Sequence, residues 1–399
     1  MPPPPVVALE IGTSKVVALV AEPREDGRTA ILGMGLHASK GVRKGEVVDL
    51  ENATACVRAA IQDAEASGQV TIRRVYLALT GGHIQSQANR GTIRIASPNG
   101  GITAEDMEQV MDVARGLNLP QDRELLHSLC RRYAVDDQQH VTNPLGLSGA
   151  RLSLDVLAIH GVRSRLQNAV HVVDNAQLEV QDVAFSGLCA GLAVLSQEQK
   201  ERGALVIDLG GGTTNYVAFV DKAVADAGVL AVGGDHVTND ISLAFTVSQR
   251  QAESLKLEHG HALVEGGNRT RRVDVPAEVG FSARSVSLAA LHTVIGARVR
   301  ETLELIRARL DRSDIDRRFG AGLILTGGAA RLPGIQGLAE GVFGLPCRVG
   351  APCEVDGLAA VTGGPEYAVA VGLARYGLTT AQNDSAFSFR RLFQSLLGH

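Results

Sequence analysis

The stretch Leu205 to Asn215, LVIDLGGGTTN, constrains the fold more than any other part of the sequence. Leu205, Val206 and Ile207 form an apolar run suited to a buried strand. Gly210, Gly211 and Gly212 then let backbone N–H groups approach an anion with no Cβ in the way. Asp208 falls where strand becomes turn. A carboxylate beside phosphates cannot favour the anion directly, so its useful chemistry is to hold a partly hydrated Mg2+. Thr213 and Thr214 add hydroxyl donors, and the whole reads as a phosphate cradle.

The same pattern stands at the start of the chain. Val6 to Leu9 is apolar, Glu10, Gly12, Thr13, Ser14 and Lys15 follow, and Val16 to Val20 is apolar again. Glu10 and Asp208 are 198 residues apart, far beyond the period of about 20 to 50 residues of solenoids and propellers. Two lobes of similar build, each offering one phosphate hairpin, account for the spacing. Two further strands end in small residues: Val229 to Val232 before Gly233–Gly234, and Gly322 to Thr326 before Gly327, Gly328 and Ala329. At the second of these a flat base or ribose could rest against backbone.

Bulk properties agree with two cores. The chain has 399 residues, 45% apolar and 21% charged, with 39 basic against 43 acidic side chains and a net charge of −4. That length suits two lobes or more, and that charge gives no reason to expect a nucleic acid partner. Cys56, Cys130, Cys189, Cys347 and Cys353 form no CxxC pair, which fits reduced thiols in a cytoplasmic protein. The opening MPPPPVVALE lacks the basic and apolar regions of a secretory signal, and no run approaches the roughly 18 apolar residues of a spanning helix.

Between the glycine turns, periodicity predicts helices over Asn52–Ala66, from Ser164 as a cap, over Gly187–Leu195, Val237–Phe245, Gln249–Glu258, Leu288–Leu310 and Glu366–Tyr376. From His83 to Gly161 short alternating strands surround one helix that Thr103 and Asp106 open as a capping box, the mark of a small α+β module. Thr379 to Asp384 reads as a polar linker. In the final SAFSFRRLFQSLLGH, Phe389, Leu392, Phe393, Leu396 and Leu397 fall within an arc of about 140°, flanked by Arg390 and Arg391. That pattern suits a helix lying in a membrane surface, or one docked on the protein itself. His259 and His261 read as a polar loop.

The order of these motifs resembles the actin-like ATPase superfamily: an α/β fold of two lobes around a nucleotide cleft. Within it the stretches ALEIGTSKV, VYLALTGGHI, NPLGLSGARL, VIDLGGGTTN, GGDHVTNDIS and LTGGAARLPGI resemble the FtsA family of bacterial cell division. The resemblance implies subdomain 1A over 1–80 and 163–200, with subdomain 1C, 81–162, in place of actin's 1B. It implies subdomain 2A over 201–245 and 315–362, 2B over 246–314, a return helix to 1A over 363–378, a linker over 379–384 and an amphipathic membrane helix over 385–399.

The same resemblance implies a set of sites. ATP would be held by Gly12, Thr13, Ser14, Lys15, Gly210 to Asn215, Gly233, Gly234, Lys256 and Gly327 to Ala329, with Mg2+ at Asp208 and Glu10. Lys15 is expected to approach the phosphates as a point charge. Arg284, Arg298 and Arg300 would receive the tail of the tubulin-like FtsZ. The protein would form protofilaments on the inner face of the cell membrane at the division site, anchor the FtsZ ring there and recruit later division proteins through 1C. Hydrolysis is expected to be slow or absent. No acid occurs from Ala184 to Gln197, and Asn215 can orient a water but cannot take its proton. The alternatives are a sugar or acid kinase on the same fold, or another actin-like adaptor such as a pilus-assembly scaffold.

Overall fold

The computed structural model describes residues 5–382, apart from 97–100, 265, 269, 313–317, 359, 360 and 362. The first lobe begins with the hairpin β1 (Val6–Ile11) and β2 (Lys15–Pro23), joined antiparallel by β3 (Thr29–Ala38). A two-stranded ribbon, β4 (Val42–Arg43) and β5 (Glu46–Val47), leads to α1 (Leu50–Gly68) and β6 (Arg74–Leu79). Asp49 caps α1 by accepting from Asn52 N.

Next comes an inserted module: β7 (Gln85–Arg94), α2 (Ala104–Arg115), β8 (Arg123–Val135), β9 (Gln138–Val141) and β10 (Arg151–Val162), in the sheet order β7-β10-β8-β9. Both bonds of the Thr103–Asp106 capping box are made. The chain then returns through α3 (Arg163–Asn175), β11 (Glu179–Phe185), α4 (Ser186–Val194) and α5 (Gln197–Arg202). Ser164 does not cap α3. That helix starts directly from β10, and Arg163 N donates to the Asp122 carbonyl at 2.8 Å instead.

The second lobe repeats the plan with β12 (Ala204–Leu209), β13 (Thr214–Val220) and β14 (Ala223–Leu230), then α6 (Gly234–Phe245) and α7 (Gln249–His259). The ribbon β15 (Arg272–Val275) and β16 (Arg284–Ser287) precedes α8 (Leu288–Leu310), whose limits match its periodicity. β17 (Leu323–Thr326), α9 (Ile335–Phe343) and β18 (Cys347–Val349) complete it, and the chain then returns to the first lobe with β19 (Val355–Asp356), which pairs with β3, and α10 (Ala368–Gln382), which packs into that lobe's core.

The two large sheets run β11-β6-β1-β2-β3-β19 and β14-β13-β12-β17-β18. In each, a hairpin of the same build pairs in parallel with a later strand: β1 with β6, and β12 with β17. The turns close alike, Gly12 N donating to Lys15 O and Gly210 N to Thr213 O, both at 2.9 Å. One apolar core fills the first lobe and runs on to residues of β12, β13, β14 and β17, a second lies within the second lobe, and the insert has a third.

Small residues set the spacing between layers. A Cβ on Gly372 of α10 would stand 1.7 Å from the Cys189 carbonyl of α4, so these helices touch backbone to backbone as GLCAGLAVL led one to expect. Helix α10 runs on through Gln382, so four residues read as linker are helical, while 385–399 lie outside the described residues. The insert also reaches the second lobe: the Ser86 hydroxyl donates to the Ala227 carbonyl at 2.6 Å and stands 2.9 Å from Asp226 Oδ1.

Candidate nucleotide cleft

A cleft of about 480 Å3 opens between the two glycine hairpins. Its floor is built from matching positions: Glu10 and Asp208 are each the penultimate residue of their strand, and both border the cavity. Burial pushes the Glu10 carboxyl up to about 7, with Asp208 adding to the rise and the Lys15 charge opposing it. Burial likewise pushes Asp208 up to about 6, against the hydrogen bond from Asn215 and the charge of Lys15. Glu10 Oε2 is sealed from solvent and has no hydrogen-bond partner. Two adjacent buried carboxylates, one with an orphaned oxygen, make an all-oxygen donor set short of positive charge, and these residues fit Mg2+.

The glycines are required by close approach. A Cβ on Gly212 would lie 2.4 Å from Thr13 Oγ1 and one on Gly211 would lie 3.1 Å from Ser14 Cβ, so the hairpins of the two lobes meet tip to tip. Gly327, at φ +84°, would put a Cβ 2.4 Å from Asp208 Oδ1. Beside it Gly328 has only Glu366 Cβ within reach, at 3.9 Å, leaving that backbone open to the cleft.

The structure brings every residue expected to hold nucleotide or Mg2+ to the cleft but changes what several of them do. The Lys15 ammonium donates to the Glu366 carbonyl at 2.6 Å and lies 4.7 Å above the Tyr367 ring. It ties the first hairpin to the C-terminal segment and is not aimed as a free charge at phosphate. Gly233 and Gly234 shape the second hairpin: Gly234 N donates to Gly210 O at 2.9 Å, so that N–H is not offered to a ligand. Lys256, at the mouth, is held by Glu253 at 2.6 Å and by Thr238 Oγ1 at 2.8 Å. Asn215 is occupied on both sides, its Nδ2 donating to Asp208 Oδ2 at 2.9 Å and its Oδ1 accepting from Thr80 Oγ1 at 2.6 Å.

Thr80 was not anticipated. It follows β6 in VYLALTGG as Thr326 ends β17 in LILTGG, so the repeated LTGG was the signal that would have found it. Apolar lining comes from Leu257, Val299, Leu332, Pro333 and Ile335, a surface suited to a flat base.

The three arginines expected to receive the FtsZ tail have different surroundings. Arg298 and Arg300 are two residues apart on α8, about 200° round the helix. Arg298 is forked onto Asp240 at 2.5 and 3.1 Å, whereas Arg284 and Arg300 are exposed. The membrane-facing candidates Phe389 to Leu397 fall outside the described residues. Among the described residues no helix is long and apolar enough to cross a membrane.

A family model described as Cell division protein FtsA matches residues 205–372, and one described as SHS2 domain inserted in FTSA matches 81–160. The Cell division protein FtsA of Pseudomonas aeruginosa is 35% identical over 383 residues, covering 96% of this chain and 91% of that protein. The chain belongs to the FtsA family. Its FtsA relative from Escherichia coli K12 is 36% identical over 98% of this chain and 94% of its own length, and that from Neisseria meningitidis is 32% identical over 92% and 89%.

Solved structures carry the same fold. The PilM–PilN type IV pilus biogenesis complex superposes with a TM-score of 0.62 at 18% identity, over 94% of this chain and 98% of the other. MreB5 of Spiroplasma citri bound to ADP does so with 0.56 at 14%, over 96% and 99%. The FtsA family chain described here therefore has the actin-like ATPase fold.

Proposed function

We propose that this chain is an ATP-binding scaffold of bacterial cell division that assembles into filaments on the inner face of the cytoplasmic membrane and holds the FtsZ ring there. The observation that carries the nucleotide part is the buried Glu10–Asp208 pair, with its orphaned Oε2, between two glycine hairpins. Supporting it, MreB5 of Spiroplasma citri, of the same fold, has been solved with ADP and with AMPPNP.

Gly210 to Gly212 and Gly12 let backbone approach the phosphates, Thr13 and Ser14 add hydroxyls, and the apolar wall of Leu257, Leu332 and Pro333 takes the base. Mg2+, when bound near Glu10 and Asp208, supplies the positive charge that lets both carboxylates ionise beside phosphate. Hydrolysis is slow in this reading. Asn215 is spent on Thr80 and Asp208, and Glu253 and Glu366 are paired with Lys256 and Arg331. None of these is free to take a proton from water.

Membrane attachment falls to residues 385–399, whose apolar stripe gives weak reversible binding singly and firm binding when a filament presents many copies. Flotation of the full chain with anionic vesicles and FtsZ, with and without Mg-ATP, tests the proposal. FtsZ should rise with the vesicles only when this protein is present, and should do so better with Mg-ATP. Equal flotation by the chain lacking 385–399 would overturn it.

A further inference from the structure

The β4–β5 ribbon is too short to build a core, yet it sits against both phosphate hairpins. Its two-residue tip is Lys44–Gly45. Gly45 N donates to Thr13 Oγ1 at 2.9 Å, on the first hairpin. On the second, the Lys44 backbone N and Cα both lie 2.9 Å from where a Cβ of Gly212 would stand. The ribbon is held in that place from outside, because Glu46 accepts from Arg165 of α3 at 2.8 Å.

The tip residues have φ of +53° and +74°. Two positive values in a two-residue hairpin mark a type I′ turn, for which Asn-Gly or Asp-Gly is the favoured pair. Lysine in the left-handed region is uncommon and raises the cost of the turn, and such outliers concentrate where a ligand is held. The side chain is also unspent. Among the described residues the Lys44 side chain makes no hydrogen bond or ion pair, and it borders, with Arg43, Glu46 and Arg165, a concavity of about 450 Å3 distinct from the cleft, whose lining does not include it. Its charge reaches across to the second lobe, where it helps hold the His236 imidazole below its ordinary range, after burial. Lys15, meanwhile, is engaged by Glu366.

We propose that the β4–β5 ribbon is a strap over the phosphate end of the cleft and that Lys44 is the cation that reads the terminal phosphate, distinguishing nucleoside triphosphate from diphosphate. The inference rests on the nucleotide reading given above. With the Lys44 Cα 2.9 Å from where a Gly212 Cβ would stand, a phosphate held by the Gly212 amide and the Thr13 hydroxyl would fall within the length of a lysine side chain. A diphosphate, one phosphate shorter, would leave that contact unmade.

The decisive variant is Lys44→Asn. It creates Asn-Gly, the favoured I′ pair, so the turn is kept or strengthened while the ammonium is removed. With Mg2+ present, calorimetry on the full chain should show ATP affinity falling about tenfold, as for one charge-assisted contact, and ADP affinity staying within about twofold. Lys44→Arg should recover part of the ATP affinity. Thermal unfolding of Lys44→Asn should be no lower than that of the native chain, which separates the result from misfolding. Equal losses for ATP and ADP, or unchanged ATP affinity, would overturn the role of Lys44. Failure of the native chain to bind either nucleotide would overturn the nucleotide reading itself, and this inference with it.

Discussion

Replacing Glu10 by glutamine should make the ligand-free protein more stable at alkaline pH while weakening its hold on Mg-nucleotide. The reason is the penalty for keeping a charged carboxylate in the cleft floor without a cation. Burial raises the Glu10 carboxyl from 4.5 to about 7, which at about 1.4 kcal/mol per tenfold amounts to about 3 kcal/mol. The direction follows from proton counting. Between 4.5 and about 7 the folded state binds the proton that the unfolded state has released, so stability falls as pH rises through that window and levels off above it. Asp208, raised from 3.8 to about 6, acts with the same sign at slightly lower pH. Glutamine removes the Glu10 part but brings amide donors into a place where Oε2 already lacks a partner, a cost on the order of 1 kcal/mol. The net expectation at pH 8 is a gain of about 2 kcal/mol in urea denaturation with a chelator present, shrinking toward zero near pH 5. In Mg-ATP the order should reverse, because only the native carboxylate can meet the cation. A native chain equally stable at pH 5.5 and 8, with Glu10→Gln no more stable at either, would refute the reasoning.

Other positions separate site from scaffold. Gly327→Ala would drive a Cβ to 2.4 Å from Asp208 Oδ1 at a backbone of φ +84°, so Mg-dependent nucleotide affinity should drop tenfold or more by calorimetry, whereas Gly328→Ala has open space and should keep the fold. Thr80→Val should cost about 1–2 kcal/mol in denaturation by stranding Asn215 Oδ1, and Thr80→Ser should restore most of it; equal effects of both would assign the loss to packing. Arg300→Glu should leave stability within about 0.5 kcal/mol yet weaken binding of an acidic FtsZ-tail peptide several-fold in a salt-sensitive way, while Arg298→Glu should destabilise by about 1 kcal/mol through its partly exposed Asp240 pair. Fluorescence anisotropy of the peptide and urea melts read the two apart, and unchanged anisotropy for Arg300→Glu would place the peptide elsewhere.

What the sequence displayed and what it hid divide along the reach of the forces involved. The hairpins were legible because an apolar run, a carboxylate and glycines are neighbours in the chain, and α8 because its burial repeats every three or four residues from Leu288 to Leu310. The end of α10 was hidden by composition. Thr379 and Thr380 look like linker, yet each hydroxyl donates to the carbonyl four residues back, Arg375 and Tyr376, at 2.9 Å, and the helix continues. Side-chain direction was hidden by distance along the chain. Lys15 finds its acceptor at Glu366, 351 residues away, and Asn215 is claimed by Thr80, 135 residues away; no local pattern encodes either partner. The same limit hid the difference between two arginines of α8: at 100° per residue, Arg298 turns toward Asp240 while Arg300 faces solvent. Motifs thus located the cleft, because backbone approach to an anion is a local property of glycine. Which cations are free to meet that anion is a property of the assembled lobes, where Lys15 is spoken for and Lys44, outside every motif that marked the cleft, is not.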